Sequence, residues 1–494
     1  MLCMPSLIKG HEIARPHFEC IDQMSSLAEN HVAVIPFPPT SHARPLANLV
    51  LKLAAEAPRV HFSFLADPGY NDVLSGHSSA DAPPANVKVF GAITWPWVNP
   101  MPRKSQDKML RLFLEEGPKN FEAAIGAAEQ AVGVKVSCLL TDAFYTFACM
   151  IAEKMQVKWV PLVVSSPYFV SAYVHYDEIR KCLLDAAAHE EVSSQPDRRT
   201  VLEGIPGLSR MRVEDLPDGP AVFTIDSHVL SSSEELALVR TFCEFRSVLP
   251  RAAAVVMSSF EEVNSKDLLE DLRSRFKELL LVGSLTASLT PPPPHDSAGS
   301  GCLQWLNRQK HRSVAYISFG SVNSPPPEEI SALADALEAS KTPYLWSLKD
   351  ELKSSLPLGF EERTCSHGMI LPWVQQNQVL WHPSTGAYVT HCGYNSTFES
   401  AGAEVPLICR PLWADNRINA VKVEEDWGIG VMVQGGVITK DRMIKCLQMV
   451  MGGGEEEKEV RKKIKAFKKV LVDATEPGGS VPRSLKTLAD LISS

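Results

Sequence analysis

Short apolar runs followed by amphipathic segments recur along this chain, and this alternation constrains its fold more than any other feature. Residues 31–37 (HVAVIPF) are apolar and β-branched, as in a buried strand, and residues 45–57 then place leucine, valine and alanine at helical spacing. A strand-like run followed by a helical one returns at 136–141 and 143–155, and a further strand-like run lies at 314–319. Strands that alternate with helices form parallel sheets covered on both faces. The pattern predicts an α/β protein with doubly wound parallel sheets.

The length of the chain calls for two such domains. Its 494 residues exceed what one ordinary core holds, and a content of 45% hydrophobic and 22% charged residues is that of a globular protein. Residues 290–301 (TPPPPHDSAGSG) are typical of an interdomain linker. We expect a disordered N-terminal extension, a first domain, a linker, a second domain and a C-terminal helix that packs back on the first domain, at residues 1–30, 31–285, 286–301, 302–480 and 481–494, respectively.

The net charge and the cysteines narrow the classes of partner and compartment. A formal net charge of -9 at pH 7 does not favour nucleic acid or an anionic membrane surface, since both select a basic stripe. The 11 cysteines form no C-x-x-C pair, so neither a disulfide framework nor a zinc knuckle is indicated. No apolar run reaches the roughly 18 residues that span a bilayer, and charged residues interrupt the N-terminal segment, so no signal peptide is expected. We expect a cytoplasmic protein and a monomer.

Several motifs of other enzyme classes are missing from the sequence. No G-x-G-x-x-G follows a strand and no G-x-x-x-x-G-K-[ST] occurs, so nicotinamide cofactors and ATP lose support. A G-x-S-x-G elbow is also absent, which disfavours a serine hydrolase built on Ser41 and His42. We expect no cofactor.

Residues 386–399 (GAYVTHCGYNSTFE) have the pattern of an anion-binding turn. An apolar strand ends at Thr390, a glycine turn follows, and a helix opens around Asn395 and Ser396. Free amides and the positive end of the helix dipole bind anions there, so a diphosphate would fit. The alternative is a capping box in which Ser396 and Glu399 satisfy the helix terminus without any ligand.

The segment around this turn resembles a known family signature. Residues 373–416 (WVQQNQVLWHPSTGAYVTHCGYNSTFESAGAEVPLICRPLWADN) resemble the signature box of the plant UDP-glycosyltransferases, with Trp, Gln, H-x-x-x-G, T-H-C-G, N-S, Glu and a terminal Asp in register. The similarity extends to IPFPPTSHARPL, LLTDAF and CLQWLNRQKHRSVAYISFGS, and is greatest to the flavonoid 3-O-glycosyltransferase branch. It implies the GT-B fold, in which two Rossmann-like domains face each other across a cleft.

The resemblance implies roles for residues on the donor side of that cleft. Trp373 would stack on uracil, Glu399 would hold the ribose hydroxyls, and Asp415 and Asn416 would hydrogen-bond the sugar. The residues expected to bind the diphosphate are Ser321, His391, Asn395 and Ser396. The donor site also includes Gln376, Gly393 and Tyr394.

Three departures from the family pattern leave the donor sugar open. Tyr394 replaces the usual Trp, Gln375 the usual Pro, and Asn416 the Gln that glucose users carry. Asn is one methylene shorter than Gln, so its amide reaches less far. UDP-glucose is the first expectation, with UDP-rhamnose, UDP-galactose or a UDP-pentose as alternatives.

His42 and Asp142 are the candidate catalytic residues. Transfer to a hydroxyl needs a base, for which histidine is well matched. His42 precedes Pro45, which is expected to begin a helix whose positive end favours the neutral imidazole. Asp142 follows a strand and would either cap the next helix or orient an imidazole. The resemblance implies that His42 is the base and Asp142 its partner, with inversion at the anomeric carbon, no metal, and a departing diphosphate neutralised by His391 and helix amides.

Aromatic residues of the first domain are the candidates for binding an aromatic acceptor, because flat apolar side chains with polar tips suit a flavonoid. Any one of them could equally be ordinary packing. In the flavonoid branch the position of Tyr173 often carries a histidine, so the site of glycosylation stays open. The candidates are Phe90, Ile93, Trp97, Tyr168, Tyr173 and His175.

Two further functions compete with hexose transfer to a flavonoid hydroxyl. The same base would serve transfer to a ring carbon, giving a C-glycoside. A non-catalytic protein that binds UDP-sugars or phenolics would share the fold, although the presence of both His42 and Asp142 argues against it.

Overall fold

The computed structural model describes residues 30–38, 40–66, 83–91, 103–189, 201–217, 220–225, 237–292, 301–320 and 324–494. Its strands form two parallel sheets, one of seven strands and one of six. The α/β class and the two doubly wound parallel sheets expected from the sequence are therefore confirmed.

The first sheet has the strand order β3-β2-β1-β4-β5-β6-β7. Its strands are β1 Asn30–Ile35, β2 Val60–Leu65, β3 Val87–Phe90, β4 Cys138–Asp142, β5 Lys158–Val163, β6 Val255–Met257 and β7 Leu279–Leu281. The central strands are buried along almost their whole length, as continuous apolar runs in a parallel sheet must be. The strand predicted at 31–37 is β1.

The second sheet has the order β10-β9-β8-β11-β12-β13. Its strands are β8 Val314–Ser318, β9 Tyr344–Ser347, β10 Gly368–Leu371, β11 Thr385–Thr390, β12 Leu407–Cys409 and β13 Gly430–Met432. In both sheets the strand order reverses beside the first strand of the sheet, and ligands of such sheets bind outside the carboxyl ends at this point.

Helices cover both faces of each sheet. Those that precede β8 are α1 Thr40–Glu56, α2 Arg103–Val132, α3 Ala148–Met155, α4 Pro167–Val174, α5 Tyr176–His189, α6 Pro220–Phe223, α7 Ala237–Val248, α8 Lys266–Arg275 and α9 Gly301–Leu306. The later ones are α10 Pro327–Ser340, α11 Phe360–Thr364, α12 Gln376–Leu380, α13 Tyr394–Gly402, α14 Asn416–Val421, α15 Lys440–Met451, α16 Glu455–Thr475 and α17 Ser480–Ile492. None of the helices in the described ranges is long and apolar enough to cross a membrane.

Helix α1 begins earlier than the sequence pattern indicates. Pro45 was expected to be its first residue, but Thr40 is, so Pro45 lies inside the helix and His42 lies in its first turn. Proline has no N–H and cannot donate to the carbonyl four residues back, that of Ser41. This carbonyl instead accepts a hydrogen bond from Asn395 Nδ2 at 3.0 Å, which compensates for the missing donor.

Helix α3 begins later than the sequence pattern indicates. The apolar spacing of 143–155 predicted one helix, whereas turns occupy the residues before Ala148, where the helix begins. In these turns Tyr145 is fully buried and its hydroxyl donates to the Pro36 carbonyl at 2.9 Å. The aromatic side chains here pack in the core without a helical backbone.

The last helix, α17, packs on the first sheet although it follows the second in sequence. Its buried residues Leu488, Ala489 and Ile492 share an apolar cluster with strands β1, β2 and β4 to β6. Asn30 Nδ2 donates to the Ser493 carbonyl at 2.8 Å, and Lys158 Nζ donates to the Leu491 carbonyl at 2.8 Å. The starts of strands β1 and β5 in the first sheet therefore contact a segment that lies more than 300 positions away in sequence.

Candidate active site

His42 and Asp142 meet at the carboxyl edge of the first sheet. Strand β4 ends at Asp142, its neighbour β1 leads into helix α1, and His42 Nδ1 lies 2.8 Å from Asp142 Oδ2. Because a carboxylate only accepts, this contact places the imidazole hydrogen on Nδ1 and leaves Nε2 as the basic atom. The Asp142 side chain is 1% exposed and that of His42 is 15% exposed, so the base reaches the cleft while its partner stays buried.

Asp142 does not cap a helix. Its other oxygen, Oδ1, accepts the Phe144 backbone N–H at 2.9 Å, which closes a turn, and the N-cap residue of α3 is Phe147. The N-cap alternative is therefore wrong. The backbone bond fixes the carboxylate that in turn orients His42.

Two phenylalanines that the sequence analysis did not assign flank the imidazole. The ring centroid of Phe37 lies 5.2 Å and that of Phe144 lies 4.7 Å from the centroid of His42. Both residues stand at strand ends, next to segments that carried the family resemblance, and this position was the available signal. Their rings fix the plane of the imidazole.

Helix α13 begins directly after a tight turn at the end of β11, as predicted. Cys392 has a left-handed backbone with φ of 67°, and Gly393 is the N-cap residue without a capping side chain. The first N–H groups of the helix therefore lack intrahelical partners and point toward the carboxyl edge of the sheet. The capping-box alternative is wrong, because Ser396 is the third helical residue rather than the N-cap.

His391 is held between two glycines. A Cβ on Gly393 would lie 2.6 Å from His391 Nε2, and one on Gly320, whose φ is +81°, would lie 2.9 Å from Cε1. Burial lowers the pKa of His391 to about 4, and its Nδ1 has no hydrogen-bond partner among the described residues. At neutral pH the imidazole is uncharged in this structure, so a diphosphate would meet an N–H donor rather than the positive charge implied by the family resemblance.

Trp373 and Glu399 are arranged as a nucleoside site requires. Trp373 is 69% exposed, which leaves its ring free to stack on a flat base. Gln376 Nε2 donates to Glu399 Oε2 at 2.6 Å and to Ser396 Oγ at 3.1 Å, while Gln376 Oε1 accepts from Tyr388. Burial raises the pKa of Glu399 and the Gln376 bond opposes that rise. Gln376 thus orients the carboxylate predicted to hold the ribose.

Asp415 and Asn416 lie at the start of helix α14, facing the first domain. Asp415 Oδ2 accepts the Ser166 N–H at 3.4 Å, and Asn416 Nδ2 donates to Asp415 Oδ1 at 3.3 Å. Asn416 Oδ1 accepts the Trp413 N–H at 3.3 Å, and the amide keeps a second N–H and a second oxygen lone pair for a sugar hydroxyl. Burial raises the pKa of Asp415 to about 6, and its hydrogen bonds and the charge of His42 oppose the rise.

Two residues of the predicted donor site also join the domains. Asn395 Nδ2 donates to the Ser41 carbonyl of helix α1, and the Tyr394 hydroxyl lies 2.8 Å from Ser259 Oγ. Tyr394 is buried in an apolar cluster with Phe398. The replacement of the family's Trp by Tyr394 therefore concerns packing between the domains.

The predicted acceptor residues are largely packed inside the first domain. The Tyr168 hydroxyl accepts the Ser265 N–H at 2.9 Å, Tyr173 is fully buried, and His175 Nε2 lies 3.0 Å from Asp271 Oδ2. These contacts favour core packing over acceptor binding for all three. Phe90 is half-buried at the end of strand β3. The remaining candidates Ile93 and Trp97, and Ser321 of the donor site, lie outside the described residues.

A His–Asp pair at the edge of one parallel sheet, with the residues predicted to bind a nucleoside and a diphosphate at the edge of the other, is the arrangement expected of a group-transfer enzyme with a nucleotide-activated donor. The family model of UDP-glucoronosyl and UDP-glucosyl transferases matches residues 291–466. The chain is 40% identical to an anthocyanidin 3-O-galactosyltransferase of Rhododendron delavayi, over 94% of this chain and 97% of the relative. The protein therefore belongs to the UDP-glycosyltransferase family.

Two further comparisons also cover nearly the whole chain. An anthocyanidin 3-O-glucosyltransferase of Vitis vinifera is 37% identical, with 95% of this chain and 99% of the relative covered. The crystal structure of a UDP-glucose: anthocyanidin 3-O-glucosyltransferase in complex with UDP superposes with a TM-score of 0.81 at 36% identity, covering 94% of this chain and 99% of that one. The predicted GT-B fold and the resemblance to the flavonoid branch are confirmed.

Proposed function

We propose that the protein transfers a hexose from a UDP-sugar to a hydroxyl of a flavonoid or a similar plant phenolic. The observation that carries the proposal is the His42–Asp142 hydrogen bond of 2.8 Å at the cleft edge of the first sheet. The relatives named above act on the 3-hydroxyl of anthocyanidins, one with galactose and one with glucose. We take UDP-glucose as the first donor and UDP-galactose as the second.

The reaction follows from the orientation of the pair. His42 Nε2 removes the proton of the acceptor hydroxyl while the oxygen attacks the anomeric carbon, and the bond from that carbon to the diphosphate oxygen breaks. The electron pair of that bond leaves with UDP. Because the oxygen attacks from the face opposite the diphosphate in a single displacement, the configuration inverts. Asp142 stabilises the imidazolium that forms. The N–H groups of α13, with His391, receive the departing diphosphate.

The predicted site residues support this scheme to different degrees. Six of the predicted donor residues lie together around β11 and α13, which supports their donor role. They are Trp373, Gln376, Glu399, His391, Gly393 and Ser396. Asp415 lies at the contact between the domains, where its Oδ2 accepts the Ser166 N–H, which supports a sugar site at this end of the cleft. Phe37 and Phe144 supply flat faces beside the base for a phenolic ring.

Replacing the base tests the proposal directly. We expect His42→Ala to lower kcat by about 10²- to 10⁴-fold, because general-base catalysis contributes that much, and to leave the Kd for UDP unchanged. Asp142→Asn should lower kcat as well, since the neutral amide no longer stabilises an imidazolium. Turnover of a flavonol panel with UDP-glucose, followed by liquid chromatography and mass spectrometry, measures the effect.

The control for this experiment is His311→Ala, which removes an exposed histidine of the second domain and should leave turnover unchanged. Undiminished transfer by His42→Ala would refute the role of His42. Tight UDP binding by the wild-type protein without product would instead favour the non-catalytic alternative. Fragmentation of the product distinguishes an O-glycoside, as proposed, from a C-glycoside.

We also propose that the protein is a cytoplasmic monomer whose domains divide at residues 286–301. The described cysteines are all free thiols, which supports a reducing compartment. Strands of the first sheet end at Leu281 and those of the second begin at Val314, which supports the division. Light scattering of the purified protein tests the monomeric state.

A further inference from the structure

Helix α14 belongs to the second domain by sequence and Ala420 packs there, but other side chains of the helix pack into the first domain. Ile418 and Val421 are buried in the apolar cluster that also holds Tyr168, Val213 and other side chains of the first domain. The helix carries Asn416 at its first position and Asp415 immediately before it. The two residues predicted to hold the sugar are thus mounted on an element that the other domain supports.

An ion pair between the domains fixes the middle of this helix. Arg417 Nε lies 3.1 Å from Asp215 Oδ1, and Arg417 Nη2 lies 3.9 Å from Glu214 Oε2. Asp215 is itself held, because its Oδ2 accepts the Arg212 N–H at 3.1 Å. The Asp215 side chain is 8% exposed and that of Arg417 27%, so the pair is partly shielded from water and from screening by salt.

The two ends of helix α14 also contact the first domain. At its start, the Ser166 N–H donates to Asp415 Oδ2. Just past its end, Lys422 Nζ lies 3.8 Å from the ring centroid of Tyr168 and 2.6 Å from Asp426 Oδ2. Residues Lys422–Asp426 form a π-helical turn, a local widening that is frequent beside functional sites. The helix is therefore held by the first domain at three points.

The nucleoside end of the donor site is organised differently. Side-chain hydrogen bonds join Gln376 to Glu399, Ser396, Tyr316 and Tyr388, all within the second domain. Binding of UDP and binding of the sugar thus depend on different supports. The Gln376 bonds at the nucleoside end stay within the second domain, whereas the support of the sugar end crosses the cleft.

We infer that Asp215 and Arg417 are positioning residues for the donor sugar, which act by holding helix α14 so that Asp415 and Asn416 face the hexose. This inference rests on the proposed function, since it assumes that a UDP-sugar is the donor. It assigns to the first domain a part in donor recognition. Without the ion pair, UDP-sugar should lose the sugar contribution to its affinity, whereas UDP should bind as before.

Calorimetric titration of UDP and of UDP-glucose, with no acceptor present, separates the two contributions. For Asp215→Asn and for Arg417→Met we expect the Kd of UDP-glucose to rise about fivefold to tenfold, in the range of typical coupling between sites, while the Kd of UDP changes by less than about twofold. If either variant fails to fold, Arg417→Lys replaces it, because it keeps the charge and loses the two-pronged geometry.

The matched control is Glu457→Gln, which breaks the Glu457–Arg461 pair of α16, where the side chains are 16% and 14% exposed. It should change neither Kd. An unchanged ratio of the two Kd values in the Asp215 and Arg417 variants, or an equal loss for both ligands, would overturn the inference. Since no acceptor is used, the result is independent of whether the wild-type protein turns over a flavonoid.

Discussion

Burial shifts the pKa values of two titratable side chains in the donor site in opposite directions, and in both cases it favours the uncharged form. It lowers the pKa of His391 to about 4, which leaves a neutral N–H donor, and raises that of Asp415 to about 6. Of the two, only Asp415 titrates between pH 5 and 8. Because ionising this buried carboxyl costs free energy, its contribution to folding stability is present at low pH and falls as pH rises through about 6.

The donor affinity should therefore depend on pH through Asp415. As pH falls below about 6 the carboxylate takes a proton and loses part of its capacity to accept bonds from sugar hydroxyls. We expect the Kd of UDP-glucose to rise from pH 7.5 to pH 5.5 relative to the Kd of UDP, as measured by calorimetry.

The variant Asp415→Asn is the control for this dependence, because it cannot ionise. It should bind UDP-glucose more weakly at pH 7.5 and show a flatter ratio of the two Kd values. An equally steep ratio in Asp415→Asn would assign the titration to another group.

Among the elements, α17 has the most direct effect on stability, because it covers a face of the first sheet. Leu488 is fully buried there. Leu488→Ala should lower the free energy of unfolding by about 2 to 5 kcal/mol, the range for a buried leucine that leaves a cavity.

Thermal denaturation followed by circular dichroism measures this loss. The exposed substitution Lys486→Ala on the same helix serves as the control and should shift the midpoint little. An unchanged midpoint for Leu488→Ala would show that the helix does not contribute to the cooperative unit of the first sheet.

The elements also show how far periodicity alone predicts this fold. The apolar runs at 31–37 and 314–319 correspond to β1 and β8, because a strand buried on both faces of a sheet is a continuous apolar run. Helix starts were less predictable. Pro45 has the signature of a first helical residue, and only a partner from the other domain makes its interior position tolerable. The turns before Ala148 carry apolar residues whose spacing imitates a helix.

At the scale of the whole molecule, the site depends on contacts that no local pattern reveals. His42 and Asp142 are 100 positions apart, so their contact came from the family resemblance. The sequence does not distinguish aromatic residues of a core from those of a pocket. Tyr168 and Tyr173 are therefore predicted to bind the acceptor, although they are packed. The glycine turn before α13 was predicted, since its residues are consecutive.

The hydrogen bond between Asn395 and Ser41 leads to a prediction about the contact between the domains. Asn395→Ala should lower kcat about fivefold, the worth of one hydrogen bond near 1 kcal/mol, because helix α1 and His42 lose a tie to the donor domain. The Kd of UDP should change by less than about twofold. Steady-state kinetics and calorimetry measure the two values.

The opposite outcome distinguishes the role implied by the family. Weaker UDP binding with an unchanged kcat would show that Asn395 serves the diphosphate rather than the contact between domains. Asn86→Ala is a suitable comparison, since its amide donates to the Ala54 and Val60 carbonyls within the first domain.

The position of α17 affects the order in which this protein folds during its synthesis. A ribosome makes the strands of the first sheet before those of the second, and domains usually fold as they emerge. Here Val282 and Leu285 are covered in part by Leu488 and Ile492, which are translated after every strand of both sheets. Apolar surface of the first domain therefore stays uncovered until α17 has been synthesised. We expect chaperones to bind nascent chains that stall after the first domain and before α17.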